Sequence, residues 1–213
     1  MSIDHHASEE MLAAYVAGAL DLGQHVAIAT HLTSCAHCRS WARSMERVGG
    51  ALLAEASPAA LADGALDRTL ARLDEPAPPI AKASEVEDLP PGLPKFVKGY
   101  RFGAWRWVAP RVSLRPIILP EPGPTRVFLL KSAANTGMLP HAHSGVEMTC
   151  VLTGAFSHEG GRYGPGDFDF GDESVHHEPR VAAGEDCVCL VAMQGELQWS
   201  GPIGWLAHLF VRV

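Results

Sequence analysis

The 213-residue sequence predicts an α + β chain of two domains: a small bundle of about four helices, then an all-β barrel of jelly-roll type. Three observations carry this. Residues 74–95 hold six of the sixteen prolines, which excludes a continuous helix, so the stretch reads as a semi-stiff linker. Residues 1–73 are rich in Ala and Leu and contain only Pro58. Residues 96–213 are rich in Gly, Pro, Val and Phe, set in short runs with turn signals between them. The predicted division is therefore 1–73, 74–95 and 96–213.

In the first part, Ser8 can cap a helix whose first turn carries Glu9 and Glu10, where carboxylates suit the positive end of the dipole. Met11, Leu12, Tyr15, Val16, Ala19 and Leu20 make one apolar stripe along it. Asp21 with Gln24 three residues later forms a capping box that opens a second helix through Val26, Ile28 and Leu32. A third helix is predicted over about 36–53. A fourth, weaker and offset, is carried by Leu66, Leu70 and Leu73. On periodicity alone those leucines complete the bundle's own core; the alternative is that 59–73 exposes an apolar face for another helical protein to cover. In the second part, strands are predicted at 112–119, 126–130, 148–156, 167–170, 187–193 and 209–213, with Trp105 and Trp107 seating the linker's exit on the barrel.

Charge and apolar patterning exclude several function classes. Seventeen basic against 24 acidic residues give a net charge of −7, which argues against a phosphate-backbone surface and hence against direct nucleic-acid binding. No apolar run approaches membrane-spanning length, and Met1 to His6 lacks the basic and apolar regions of a secretory signal. Five cysteines, an odd count, fit metal or thiol chemistry in a reducing compartment better than a disulfide framework. The expectation is a cytoplasmic protein.

Two constellations carry chemistry. In the first, His31-x3-Cys35-x2-Cys38, positions i and i+4 of a helix share a face, and Cys38 approaches from the next turn. Two thiolates and an imidazole are three of the four ligands of a structural zinc. His6 is the natural fourth, with His5, His25 and His37 as rivals. Zinc there would staple a bundle too small to be stable on its core alone. The second is His141-Ala-His143-x3-Glu147-x6-Gly154, followed by Gly166 and, eleven residues later, His177. Alternate strand residues face one side, bringing both imidazoles together.

That spacing resembles the paired motifs of the cupin barrels, with departures. Asn135 stands at the first Gly position, Asp172 and Ser174 replace Pro and Gly, and Val181 replaces the last Asn. The four ligand positions His141, His143, Glu147 and His177 are all filled, a mixed N/O set suited to a second divalent metal, with Zn foremost and Mn, Fe or Ni allowed. Cys187 and Cys189 share a strand face and read as buried thiols, with a redox role expected where either faces the metal pocket; Cys150 reads as core.

The pattern His6…His31-x3-Cys35-x2-Cys38, the strings Tyr15-Val-Ala-Gly-Ala-Leu20 and Ala29-Thr-His-Leu32, and the cupin beyond a Pro-rich linker together resemble the zinc-binding anti-sigma factors of the ChrR type. The likeness spans essentially the whole chain. It implies that the first domain binds an extracytoplasmic-function (ECF) sigma factor, one to one, and blocks its access to core RNA polymerase. It further implies that the cupin detects singlet oxygen or a related stress. Ten acidic against five basic residues in 1–75 suit a partner with a basic surface. The alternative from another class is a metal-dependent cupin enzyme of the dioxygenase type, with the zinc domain serving for attachment.

Overall fold

The computed structural model describes residues 2–76 and 87–199. The expected strand at 209–213 and residues 77–86 of the expected linker lie outside these. The helical part contains α1 (Glu9–Val16), α2 (Leu22–Ser34), α3 (Ala36–Glu55) and α4 (Ala65–Leu73). Ser8 accepts from the Met11 N–H at the start of α1, and Asp21 with Gln24 forms the capping box of α2. The short helix α5 (Lys95–Lys98) follows Pro94.

Then come β1 (Arg101–Phe102), β2 (Arg106–Ala109), β3 (Val112–Ile118), β4 (Thr125–Ser132), β5 (His141–His143) and β6 (Glu147–Thr153). The series ends with β7 (Phe156–His158), β8 (Gly161–Tyr163), β9 (Phe168–Gly171), β10 (Arg180–Val181), β11 (Cys187–Gln194) and β12 (Leu197–Trp199). All pair antiparallel. The main sheet runs β1-β3-β4-β11-β6-β9, with β2 also on β3; β10-β7-β8 and β12-β5 form the opposing layer. Asn135 does adopt the left-handed backbone that replacing Gly requires, at φ +62°.

Strand β11 shows how the halves meet. Cys187, Cys189, Val191 and Met193 point into the barrel beside Leu114, Phe128 and Phe156. The alternate residues Val188, Leu190 and Ala192 point the other way, into a core shared with Val26, Ala27 and Ile28 of α2. The main sheet is thus covered on its outer face by the helical half, which explains a β11 buried from Cys187 to Met193. Close approach requires Gly23, where a Cβ would lie 2.7 Å from Thr125 Cγ2. Thr125 in turn donates its hydroxyl to Asp21 at 2.6 Å. The expected domain division therefore runs through chain composition, while the hydrophobic core is continuous across it.

Two expectations are corrected. No residue of α4 is buried, so Leu66, Leu70 and Leu73 do not complete the bundle's core; they are 68%, 50% and 77% exposed. Trp105 packs against the shared core, but Trp107 is exposed and seats nothing.

Candidate metal centres

Cys35 is the one residue between α2 and α3, in extended backbone at φ −88° and ψ 104°. It therefore leaves the helical face that carries His31. Its thiol instead accepts from the Cys38 N–H, and the arm before α1 brings in His6. His6 Nδ1 lies 3.3 Å from Cys35 Sγ and 3.6 Å from Cys38 Sγ, and His31 Nε2 lies 3.3 Å from Cys38 Sγ. All four donor atoms fall within 4.8 Å of one another. A tetrahedral zinc with bonds of about 2.3 Å to sulfur and about 2.0 Å to nitrogen sets N···S separations of roughly 3.5 Å, so the residues fit that ion.

The electrostatics agree. Burial, then the neighbouring Cys35, pushes the Cys38 thiol up to about 12, so its thiolate needs a cation beside it. Burial also lowers His31, favouring the neutral, ligating form. The rival histidines are engaged elsewhere: His5 stacks on Tyr163 at 4.0 Å and His25 on Tyr15 at 4.2 Å. His37 lies against the His6 ring, outside the four-donor cluster.

In the barrel, β5 carries His141 and His143, and His177 bridges to His141 through paired backbone hydrogen bonds. His177 Nε2 lies 3.0 Å from His141 Nε2 and 3.2 Å from His143 Nε2. Three imidazole nitrogens bound to one ion at about 2.0 Å are spaced by roughly 3 Å, so this triad also fits a divalent metal. His141 donates Nδ1–H to the Leu139 carbonyl at 2.8 Å, which fixes the tautomer and turns the unprotonated Nε2 toward the other two imidazoles. Glu147 stands apart from the triad. Its carboxylate accepts from Thr149 and lies 3.8 Å from His143 Nδ1, outside the cluster of converging nitrogens. Burial raises its pKa.

His158 and Asp169 were missed by sequence reading. They form a 3.0 Å pair and make a second cluster with His177. Period-2 alternation along β9 was the only signal for Asp169. Gly160 N–H donates to His158 Nδ1, so His158 carries its proton on Nε2, toward Asp169. His141 and His177 of the triad border a cavity of about 430 Å³ whose walls are mostly apolar, with Glu147, Asp169, Cys187 and Cys189 also on it. Cys187 and Cys189 bring their sulfurs to 3.7 Å, and Cys150 is core as expected.

A pH dependence follows. Burial, then the neighbouring His141 and His143, depresses His177 to about 4, against about 6.5 when unfolded. Between those values the unfolded chain binds the extra proton, so metal-free protein loses stability as pH falls through this window. His158, raised by its bond to Asp169, contributes in the opposite sense. Urea midpoints of chelator-treated protein are expected to be lower at pH 5 than at pH 7.5, with the difference reduced in His177→Phe. An unchanged difference in that variant contradicts the assignment.

Comparison with known proteins adds two family matches, to a ChrR cupin-like domain over residues 101–197 and to a zinc finger over residues 6–39. The chain is 35% identical to the anti-sigma-E factor ChrR of Cereibacter sphaeroides over the full length of both. It also resembles the crystal structure of Rhodobacter sphaeroides SigE in complex with the anti-sigma ChrR. That match has 34% identity and a TM-score of 0.74, and covers 91% of this chain and all of that one. With both halves and their order matched from end to end, this chain belongs to the ChrR family of anti-sigma factors, which are regulators and not the dioxygenase-type enzymes that a cupin alone would allow.

Proposed function

We propose that the helical half binds an ECF sigma factor, one to one, and keeps it from core RNA polymerase in the cytoplasm. The observation that carries this is the apolar face left uncovered at the end of α3 and along α4. Leu52 and Leu53 are 64% and 77% exposed, and Leu66, Leu70 and Leu73 follow at spacings of four and three on one side of α4. Exposed apolar patches of this kind mark protein interfaces. The resemblance to a SigE-bound relative identifies the partner class. Zinc held by His6, His31, Cys35 and Cys38 fixes α1, α2 and α3 into the shape that presents this face.

In the same proposal, the cupin holds a second divalent metal, zinc foremost, through His141, His143 and His177, with Glu147 as the remaining family ligand. It releases sigma on oxidative damage, singlet oxygen being the favoured input. Cys187 and Cys189 are secondary detectors by their position on the cavity. The test uses the purified 1:1 complex with its ECF sigma factor, illuminated with a photosensitiser. Sigma release is expected from wild type and a large reduction from His141→Ala/His143→Ala. Equal release from both refutes the sensing role, and no complex at micromolar concentrations refutes the anti-sigma role.

A further inference from the structure

The zinc cluster is not supported by the helical half alone. The turn between β8 and β9, residues 164–167 of the cupin, reaches one of its four donors directly and the arm that carries a second. His31 donates Nδ1–H to the Gly166 carbonyl at 2.8 Å, which fixes the tautomer and turns Nε2 toward the thiols. Asp167 Oδ1 accepts the N–H groups of Asp4 at 2.8 Å and His5 at 3.0 Å, on the arm that carries His6. Its other oxygen accepts from Gly164 at 2.7 Å, so the carboxylate is locked into its own turn while it holds the arm. The His5 carbonyl accepts from Phe168 N–H, and the His5 ring stacks on Tyr163. Gly166, at φ +93°, leaves room for Ile3, whose Cδ1 would lie 2.8 Å from any Cβ there.

Asp167 is a buried carboxylate whose hydrogen bonds all go to backbone on this turn and arm. A buried charge held this way specifies geometry. We infer that the cupin turn 164–167 is the outer shell of the helical domain's zinc site, with Asp167 the residue that positions His6. The inference rests on the zinc reading above. It makes zinc affinity in the first half depend on the state of the second. The turn lies beside Tyr163, whose hydroxyl bonds Asp169 next to His158 and His177.

The test uses the full chain loaded with Co(II) and titrated with Zn(II). The thiolate-to-cobalt absorption reports the cysteine-bearing site and is silent for the imidazole triad. Asp167→Ala is expected to weaken zinc binding on the order of 10- to 100-fold, the range for loss of an outer-shell partner. His5→Ala, which removes only a ring stack on the arm, is expected to weaken it by a smaller factor and serves if Asp167→Ala does not fold. Thr125→Val, which loosens the halves away from the zinc, is expected to leave affinity unchanged. Affinity within twofold of wild type in His5→Ala and in folded Asp167→Ala overturns the inference, as does an equal loss in Thr125→Val. Failure of the zinc reading looks different: wild type itself would show no thiolate band.

Discussion

Cys38→Ser is expected to abolish zinc binding in the helical half, separate α1 and α3 from α2, and eliminate sigma binding. Cys38 is fully buried, and its sulfur is the atom that both His6 and His31 face. A hydroxyl is a poor zinc ligand, and structural zinc contributes about 10–16 kcal/mol of folding free energy in small domains. The core that remains is slight: α1 buries Leu12 alone, and α3 buries only Cys38 and Ala42. In contrast, α2 has Val26, Ala27 and Ile28 in the core shared with the sheet, so it stays docked. The outcome is partial unfolding, with helical circular dichroism reduced and the cupin transition retained. Amide exchange should show α1 and α3 unprotected while α2 and β11 remain protected. Retention of protected α3 and of wild-type sigma affinity in this variant would contradict a structural role for the zinc.

What could be read in the sequence depended on whether a residue's role is local. The first two helices announce themselves through Ser8 and the Asp21–Gln24 box, because caps are made within four residues. The two clusters were legible in part: His6, His31, Cys35 and Cys38 come together although Cys35 has left the helical face, and His177 rather than its neighbour His176 joins His141 and His143 while Glu147 falls outside. Strands β1, β7, β8, β10 and β12 were not found, since two or three residues cannot display a period, and the four-residue β2 was missed with them.

The apolar run from Cys187 to Met193 identified β11 but could not say what covers its outer face. A strand buried by a second sheet and one buried by α2 have the same sequence pattern. The contact of Asp167 with Asp4 and His5 spans more than 160 residues and has no local signature. For α4 periodicity alone favoured the wrong one of two readings: a stripe of leucines says that something is covered, not whether the cover is the same chain.

That ambiguity sets the second large effect. Leu66→Glu/Leu70→Glu is expected to abolish the sigma complex while leaving the isolated protein's stability unchanged. Both side chains are at least half exposed and lie one helical turn apart on a helix with no buried residue. Exposed substitutions of this kind shift stability by about 0.5 kcal/mol or less. In a complex, the same positions would bury two carboxylates against apolar surface without partners. Hot-spot leucines at about 2 kcal/mol each give roughly 4 kcal/mol, on the order of a 1000-fold loss of affinity. Added negative charge opposite a basic partner would by itself speed association, so a loss of affinity here separates apolar contact from electrostatic steering. Calorimetric titration with the sigma factor, alongside thermal unfolding of the free variant, measures both quantities. Affinity retained within tenfold, with the fold intact, would place the sigma-binding surface elsewhere on the helical half.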